Sequence, residues 1–111
     1  MKKYTSLKKN DDFRRVYKNG RSRADKRIVL YTCKNGLDIN RLGISVSKKV
    51  GNSVVRHHLA RLIREAYRLH EEDFKTGLDL VVVVRQGSSE MSFFETEESL
   101  LKLANLHRII I

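Results

Sequence analysis

Six permanent cations fall between positions 48 and 68: Lys48, Lys49, Arg56, Arg61, Arg64 and Arg68. His57 and His58 stand among them, and Glu65 is the one carboxylate. Phosphate is the natural counterpart of such a set, because each Lys or Arg that neutralises a phosphate releases condensed counterions and gains affinity from the release. The same residues are poorly arranged for catalysis. His57 and His58 are adjacent, so a helix sends them to different faces, whereas metal ligands on one helix stand four apart. No His-Glu-x-x-His run, cysteine cluster or paired-carboxylate motif occurs. The sequence therefore assigns no catalytic residue and no metal ligand to this chain.

A helix must carry these cations. Asn52 is its expected N-cap, and Val55, Leu59, Leu62, Ile63, Ala66 and Leu69 recur at 3.6-residue spacing as its apolar face. At about 100° per residue, His57, Arg61, Arg64 and Arg68 share an arc of roughly 60° on the opposite side. Lys48 and Lys49 precede the helix, and the free N–H groups beside Gly51 and Asn52 are a further phosphate site. An arginine row on a solvated helix is ordinarily balanced by acids three or four residues away. Glu65 alone cannot balance four arginines, so an outside anion is expected.

The remaining elements read in order. Asn10-Asp11-Asp12 opens a short helix with Asn10 as N-cap, Phe13 and Tyr17 on one face, and a stop at Gly20. Arg27 to Lys34 and Arg41 to Ser47 have strand composition and flank the turn signal Asn35-Gly36. In the second of these, Leu42, Ile44 and Val46 point to a core and Gly43, Ser45 and Ser47 to an open face. Leu78 to Val84 is a continuous apolar run, expected as a central strand covered on both sides. Ser92 with Glu95 forms a capping box for a last helix through Leu100, Leu101, Leu103 and Leu106.

Composition sets the frame. A chain of 111 residues, 41% hydrophobic and 32% charged, fits one domain spanning 1–111. Net charge is +10, but residues 1–68 hold 19 Lys or Arg against 5 Asp or Glu, and residues 69–111 hold 4 against 8. Such asymmetry favours a nucleic-acid partner over an anionic membrane surface, which would need a separate lipid-entering helix. Met1-Lys2-Lys3 has no apolar run behind it, and the lone Cys33 fits a reducing compartment, so a cytoplasmic location is expected. A helix-turn-helix reading fails because strand residues 45–47 stand where its first helix belongs.

Four blocks in order, LKKNDDFRRVYKNGRS from Leu7, VLYT from Val29, KKVGNSVVRHHLARLIREAYR from Lys48 and DLVVVVR from Asp79, resemble the protein subunit of bacterial ribonuclease P. The resemblance implies an accessory subunit of a ribonucleoprotein endonuclease that removes the 5′ leader of precursor tRNA. Its partners are the catalytic RNA and precursor tRNA, with no membrane and no obligate protein partner. Cleavage belongs to the RNA, which also holds most of the Mg²⁺. On this sequence the surface for the catalytic RNA comprises Lys48, Asn52, Arg56, His57, His58, Arg61, Arg64 and Arg68. Phe13, Tyr17, Tyr31 and Lys49 match a groove that takes the single-stranded leader. Aromatic stacking suits a leader of variable sequence, since it is worth about 1–3 kcal/mol per base whatever the base.

The implied fold is α+β, a two-layer α/β sandwich in the order α-β-β-β-α-β-α. It has a four-stranded sheet including a short strand near Arg21 to Ala24, and a left-handed β-α-β crossover. General physics alone would favour the right-handed form, which accounts for about 98% of such units. His57, His58 and Ala60 depart from the family's usual Asn, Arg and Lys. Two permanent charges are thereby lost, because imidazoles carry charge only as the pH falls toward about 6.5. A general RNA-binding protein with the same helix and no leader groove is the competing reading.

Overall fold

The computed structural model describes residues 4–111; Lys2 and Lys3 of the basic N-terminus lie outside that range. Residues Leu78–Val84 (β5) organise the whole chain. Their run is buried except at half-buried Val83 and pairs along both edges, parallel to β4 (Asn40–Ser45) and antiparallel to β3 (Ile28–Lys34). Around them the sheet continues to β1 (Tyr4–Ser6) beside β4 and β2 (Arg21–Ala24) beside β3, in the order β1-β4-β5-β3-β2. The helices are α1 (Asn10–Asn19), α2 (Ser53–His70) and α3 (Phe93–Leu106), with a 3₁₀ turn at Glu71–Asp73. The expected order stands with one addition, the short strand β1, which makes five strands where four were expected. Three polar or aromatic residues give little strand signal of their own; parallel pairing with Asn40, Arg41 and Leu42 creates the strand.

Crossover handedness follows from amide directions. Asn35 N–H donates to Gly77 O at 3.0 Å and Arg85 N–H to Arg27 O at 2.9 Å, and both pairs continue the β3/β5 register. Hydrogen-bonded pairs recur at every second residue. Asp79, Val81 and Val83 thus turn their amides to β3, and Leu78, Leu80, Val82 and Val84 turn theirs to β4. The even-numbered side chains also belong to the large core under α2 and α3. For L-residues this combination puts β4 to the right of β5, seen from the helices with β5 running upward. The chain steps leftward through α2 in front of the sheet, so β4-α2-β5 is a left-handed crossover.

The large core joins Ile28, Leu30, Leu80 and Val82 to Leu59, Ile63, Ala66 and Tyr67 of α2 and to Leu100 and Leu103 of α3. Tyr67, not Leu69, completes the apolar face of α2: Tyr67 is fully buried, whereas Leu69 is 52% exposed. The hydroxyl explains why periodicity alone misses Tyr67. It accepts from Asn40 Nδ2 at 3.0 Å, while Asn40 Oδ1 accepts from Leu78 N–H at 2.9 Å, so a polar tip is satisfied inside the core.

On the other sheet face α1 packs through Val16 against Val81, with Leu7 beside them. The face of β4 expected to be open is therefore partly covered. Gly43 is required there, since a Cβ would come within 2.8 Å of Phe13 Cζ. Gly20 ends α1 as expected, but at φ −82° rather than in the left-handed region; a Cβ would meet Val16 O at 2.6 Å and Thr32 O at 2.7 Å. The N-cap of α1 is Lys9, not Asn10, and no side chain caps it. Asp11 and Asp12 in the first turn supply the negative charge there. The caps of α2 and α3 are as the sequence predicts: Asn52 Oδ1 accepts from Val55 N–H, and Ser92 and Glu95 form the reciprocal box.

Candidate nucleic-acid interface

Helix α2 presents its cations to solvent because its other side is fixed on the sheet. His57, His58, Arg61 and Arg64 are exposed, and Arg61 and Arg64 have no ion-pair partner among the described residues. Lys48 and Lys49 are exposed in the turn closed by Val50 N–H donating to Ser47 O at 3.0 Å. Two predicted members differ from the rest. Arg68 is held in a two-point pair with Glu65, Nε to Oε2 at 3.0 Å and Nη2 to Oε1 at 2.5 Å, and this hydrogen bond lowers the Glu65 pKa. It is the one arginine of the row whose charge is already met. Arg56 lies on the flank nearer Ile63 and is half-buried, with Nε shielded from water and without a hydrogen-bond partner. The unpaired ridge is therefore Lys48, Lys49, His57, His58, Arg61 and Arg64, with Arg56 at its margin.

Ala60 has its own consequence. With Arg64, Leu42 and Ile44 it borders a cavity of about 240 Å³ between α2 and β1. A lysine at position 60 would extend along this space.

The aromatic residues converge on the opposite face of the sheet. Phe13 and Tyr17, one turn apart on α1, have ring centroids 6.2 Å apart, and Tyr17 meets Tyr31 of β3 edge-on at 4.9 Å. Tyr17 is 41% exposed, while Phe13 and Tyr31 are half-buried. Helix α1 covers the sheet near Val81 and Asp79 and leaves its other end uncovered. Val29, Ser45 and Val83, on the same face, stay half-buried although all three lie on interior strands. They form a floor beside the aromatic wall, and the Lys49 turn follows the end of β4 at that side. Of this floor, the alternation read from sequence shows only Ser45, on the open side of β4. Alternation from Tyr31 to Val29 was a usable signal, but the run in β5 reads as covered on both sides throughout.

A buried carboxylate holds the wall in place. Asp79 is fully buried and accepts from Arg41 Nε at 2.8 Å and Nη2 at 2.7 Å, from Asn35 Nδ2 at 3.0 Å, and from Arg15 of α1. Arg41 also faces Asp12 of α1 at 3.7 Å. Burial pushes the Asp79 pKa up, but the hydrogen bonds from Arg41, Asn35 and Arg15 outweigh it and leave the group below the ordinary carboxylate value. Two arginines of the basic two-thirds are thus structural ties and not free charges.

No helix among the described residues is long and apolar enough to cross a membrane. Nor do the described residues gather three or more His, Cys, Asp or Glu in a group able to hold a metal ion.

Comparison with known proteins agrees with this geometry along nearly the whole chain. A family model described as ribonuclease P matches residues 1–107. The ribonuclease P protein component of Lachnoclostridium phytofermentans is 58% identical over 105 residues, covering 95% of this chain and 90% of that protein. That of Alkaliphilus metalliredigens is 46% identical, covering 99% of each. Among solved structures, the Staphylococcus aureus RNase P protein superposes with a TM-score of 0.89 at 39% identity, covering 98% of this chain and 100% of the other. The Thermotoga maritima RNase P protein gives 0.82 at 33% identity, covering 90% and 96%. Family match, identity and fold together place this chain in the ribonuclease P protein family.

Proposed function

We propose that the chain works in the cytoplasm as the protein subunit of ribonuclease P, with its two sheet faces divided between two RNAs. The α2 ridge docks on the catalytic RNA, and the groove walled by Phe13, Tyr17 and Tyr31 takes the 5′ leader of precursor tRNA. One observation carries the reading. The unpaired cations and the exposed aromatic cluster lie on opposite faces of one sheet. A protein that merely coats folded RNA needs the first surface and has no use for the second.

In this reading the protein positions and does not cleave. Arg61, Arg64, Lys48 and their neighbours offset phosphate charge on the catalytic RNA, which lowers the Mg²⁺ needed to hold the complex together. Tyr17 and Phe13 stack leader bases without regard to sequence. Mg²⁺ supplies Lewis-acid and nucleophile-activating chemistry within the RNA. Two carboxylates are not open to such an ion: Asp79 is committed to Arg15, Arg41 and Asn35, and Glu65 to Arg68.

Reconstitution with a bacterial ribonuclease P RNA at low Mg²⁺ tests the proposal. Folded protein is expected to stimulate 5′ cleavage and to strengthen binding of precursor far more than of mature tRNA. Absence of stimulation would refute the subunit role; equal strengthening of both RNAs would refute the leader groove.

A further inference from the structure

A cleft of about 830 Å³ belongs to neither surface. It opens where α1 ends, at the C-terminal end of β3 and the start of β5. Arg21, Lys34, Lys75 and Arg108 surround it, all exposed, and no carboxylate lines it. None of the four has an ion-pair partner among the described residues. This is unexpected in the neighbourhood of the C-terminal third, where acids outnumber bases eight to four. His107 also borders the cleft but is a strut: its Nε2 lies 2.8 Å from Leu30 O, and burial lowers its pKa, so it adds no fifth charge.

Two further features point to a ligand. Arg108 is the one non-glycine residue among those described with positive φ, at 60°. It occupies the left-handed position after α3, where Ile109 N–H donates to Ala104 O and Arg108 N–H to Asn105 O. Glycine or asparagine is the usual occupant of that position, and an arginine there is held at a conformational cost. The tail beyond it is fastened to the 73–75 segment, by Lys75 N–H donating to Ile109 O and Ile111 N–H to Asp73 O, each at 2.7 Å. Arg108 and Lys75 are thereby held next to each other despite their like charge, which favours an anion between them.

The cleft adjoins the aromatic cluster through neighbouring residues. Asn19, two residues after Tyr17, lines it, and so does Cys33, which packs on the groove side with Tyr31. On the exposed edge strand β2, Ser22 stands opposite Tyr31 while its neighbour Arg21 stands opposite Thr32, which lines the cleft. A strand stacked on Tyr17 that runs on past the end of α1 reaches these cations next. We propose that the cleft is a second RNA site, which takes the phosphates of that part of a long leader extending beyond the aromatic groove. The proposal rests on the leader reading and adds a dependence on leader length.

The test uses holoenzyme reconstituted with a bacterial ribonuclease P RNA and two precursor tRNAs: one with a leader sufficient for the groove alone, one several nucleotides longer. For Lys75→Gln/Arg108→Gln, the slope of log affinity against log salt is expected to fall by about 1.4 with the long leader, about 0.7 per cation removed, and to stay unchanged with the short one. Arg21→Gln/Lys34→Gln, remote from the tail, is expected to give the same pattern, so misfolding of the tail cannot imitate it. Arg108→Gly adds a distinct signature: a higher melting temperature together with weaker long-leader binding. Unchanged slopes for both leaders would overturn the cleft, and equal losses for both would assign its cations to the catalytic RNA instead. Phe13→Ala/Tyr17→Ala, run in parallel, is expected to weaken both leaders; no effect there would sink the groove itself, a result separable from failure of the cleft.

Discussion

In the proposed reading, the two faces of the sheet bind RNA in different ways. On the α2 face, cations stand on a helix whose apolar side is fully occupied by the core, so nothing inside the protein competes for Arg61 and Arg64. On the α1 face, arginines are drawn inward: Arg15 and Arg41 converge on buried Asp79, and the surface left for RNA is aromatic. One face offers charge that an RNA must neutralise; the other offers stacking planes held by an internal ion cluster. A salt-sensitive, structure-tolerant contact is the consequence on the first, and a contact for unpaired bases on the second.

Asp79→Asn breaks the comparison most severely. Removing the charge leaves Arg15 and Arg41 facing each other without their anion, at a cost of about 2–3 kcal/mol, below that of fully enclosed pairs because the two side chains are 33% and 25% exposed. Denaturant unfolding measures the loss. Precursor selectivity is expected to fall with it, whereas catalytic-RNA affinity of the folded fraction stays unchanged. Acid gives the same information with the sign fixed by linkage. The folded-state pKa of Asp79 is depressed, so its stabilisation is complete above the unfolded value of about 3.9 and is lost as pH falls through the lower folded value.

Tyr17→Ala acts on the same face without breaking its support, since the ring is 41% exposed. Loss of one stacking plane is expected to cost about 1–3 kcal/mol of precursor affinity and nothing for mature tRNA, read from binding of the two RNAs to holoenzyme. Arg61→Ala/Arg64→Ala is the counterpart on the α2 face. It is expected to flatten the salt dependence of catalytic-RNA binding by about 1.4–1.8 in log-log slope while leaving the precursor-to-mature ratio intact. If either variant changes the other's observable, the division between faces is wrong.

The smallest effect sharpens the α2 face. His57 and His58 are exposed and stand where guanidinium or amide groups are usual in the resemblance. Replacing them by Asn and Arg adds one permanent charge, and the salt slope is expected to rise by up to about 0.9. An unchanged slope would put both histidines outside the RNA contact.

Local chemistry made much of this legible. The caps at Asn52 and Ser92, the cationic arc of α2 and the central position of Leu78–Val84 follow from residue spacing, because each depends on interactions within a few residues or on burial of one continuous run. Four ordered blocks of resemblance carried the family and the left-handed crossover, which periodicity would have assigned the other hand.

Tertiary structure decided what depends on partners distant in sequence. Tyr67 displaces Leu69 from the core because Asn40, 27 residues away, satisfies its hydroxyl. Tyr4–Ser6 becomes a strand only through pairing with β4. Arg15, Arg41 and Arg68 look like free cations in the sequence; the fold ties the first two to Asp79, and a local pair claims the third. The uncovered floor at Val29, Ser45 and Val83 exists because α1 runs across the strands at the level of Gly43, Val81 and Tyr31 and leaves the next level bare. Sequence by itself thus determined which residues carry charge and which helix displays it, since both are properties of composition and short-range periodicity. Which charges remain free, and where the sheet is left bare, was decided by long-range packing, because a carboxylate on one strand and a helix from another part of the chain must first be brought together.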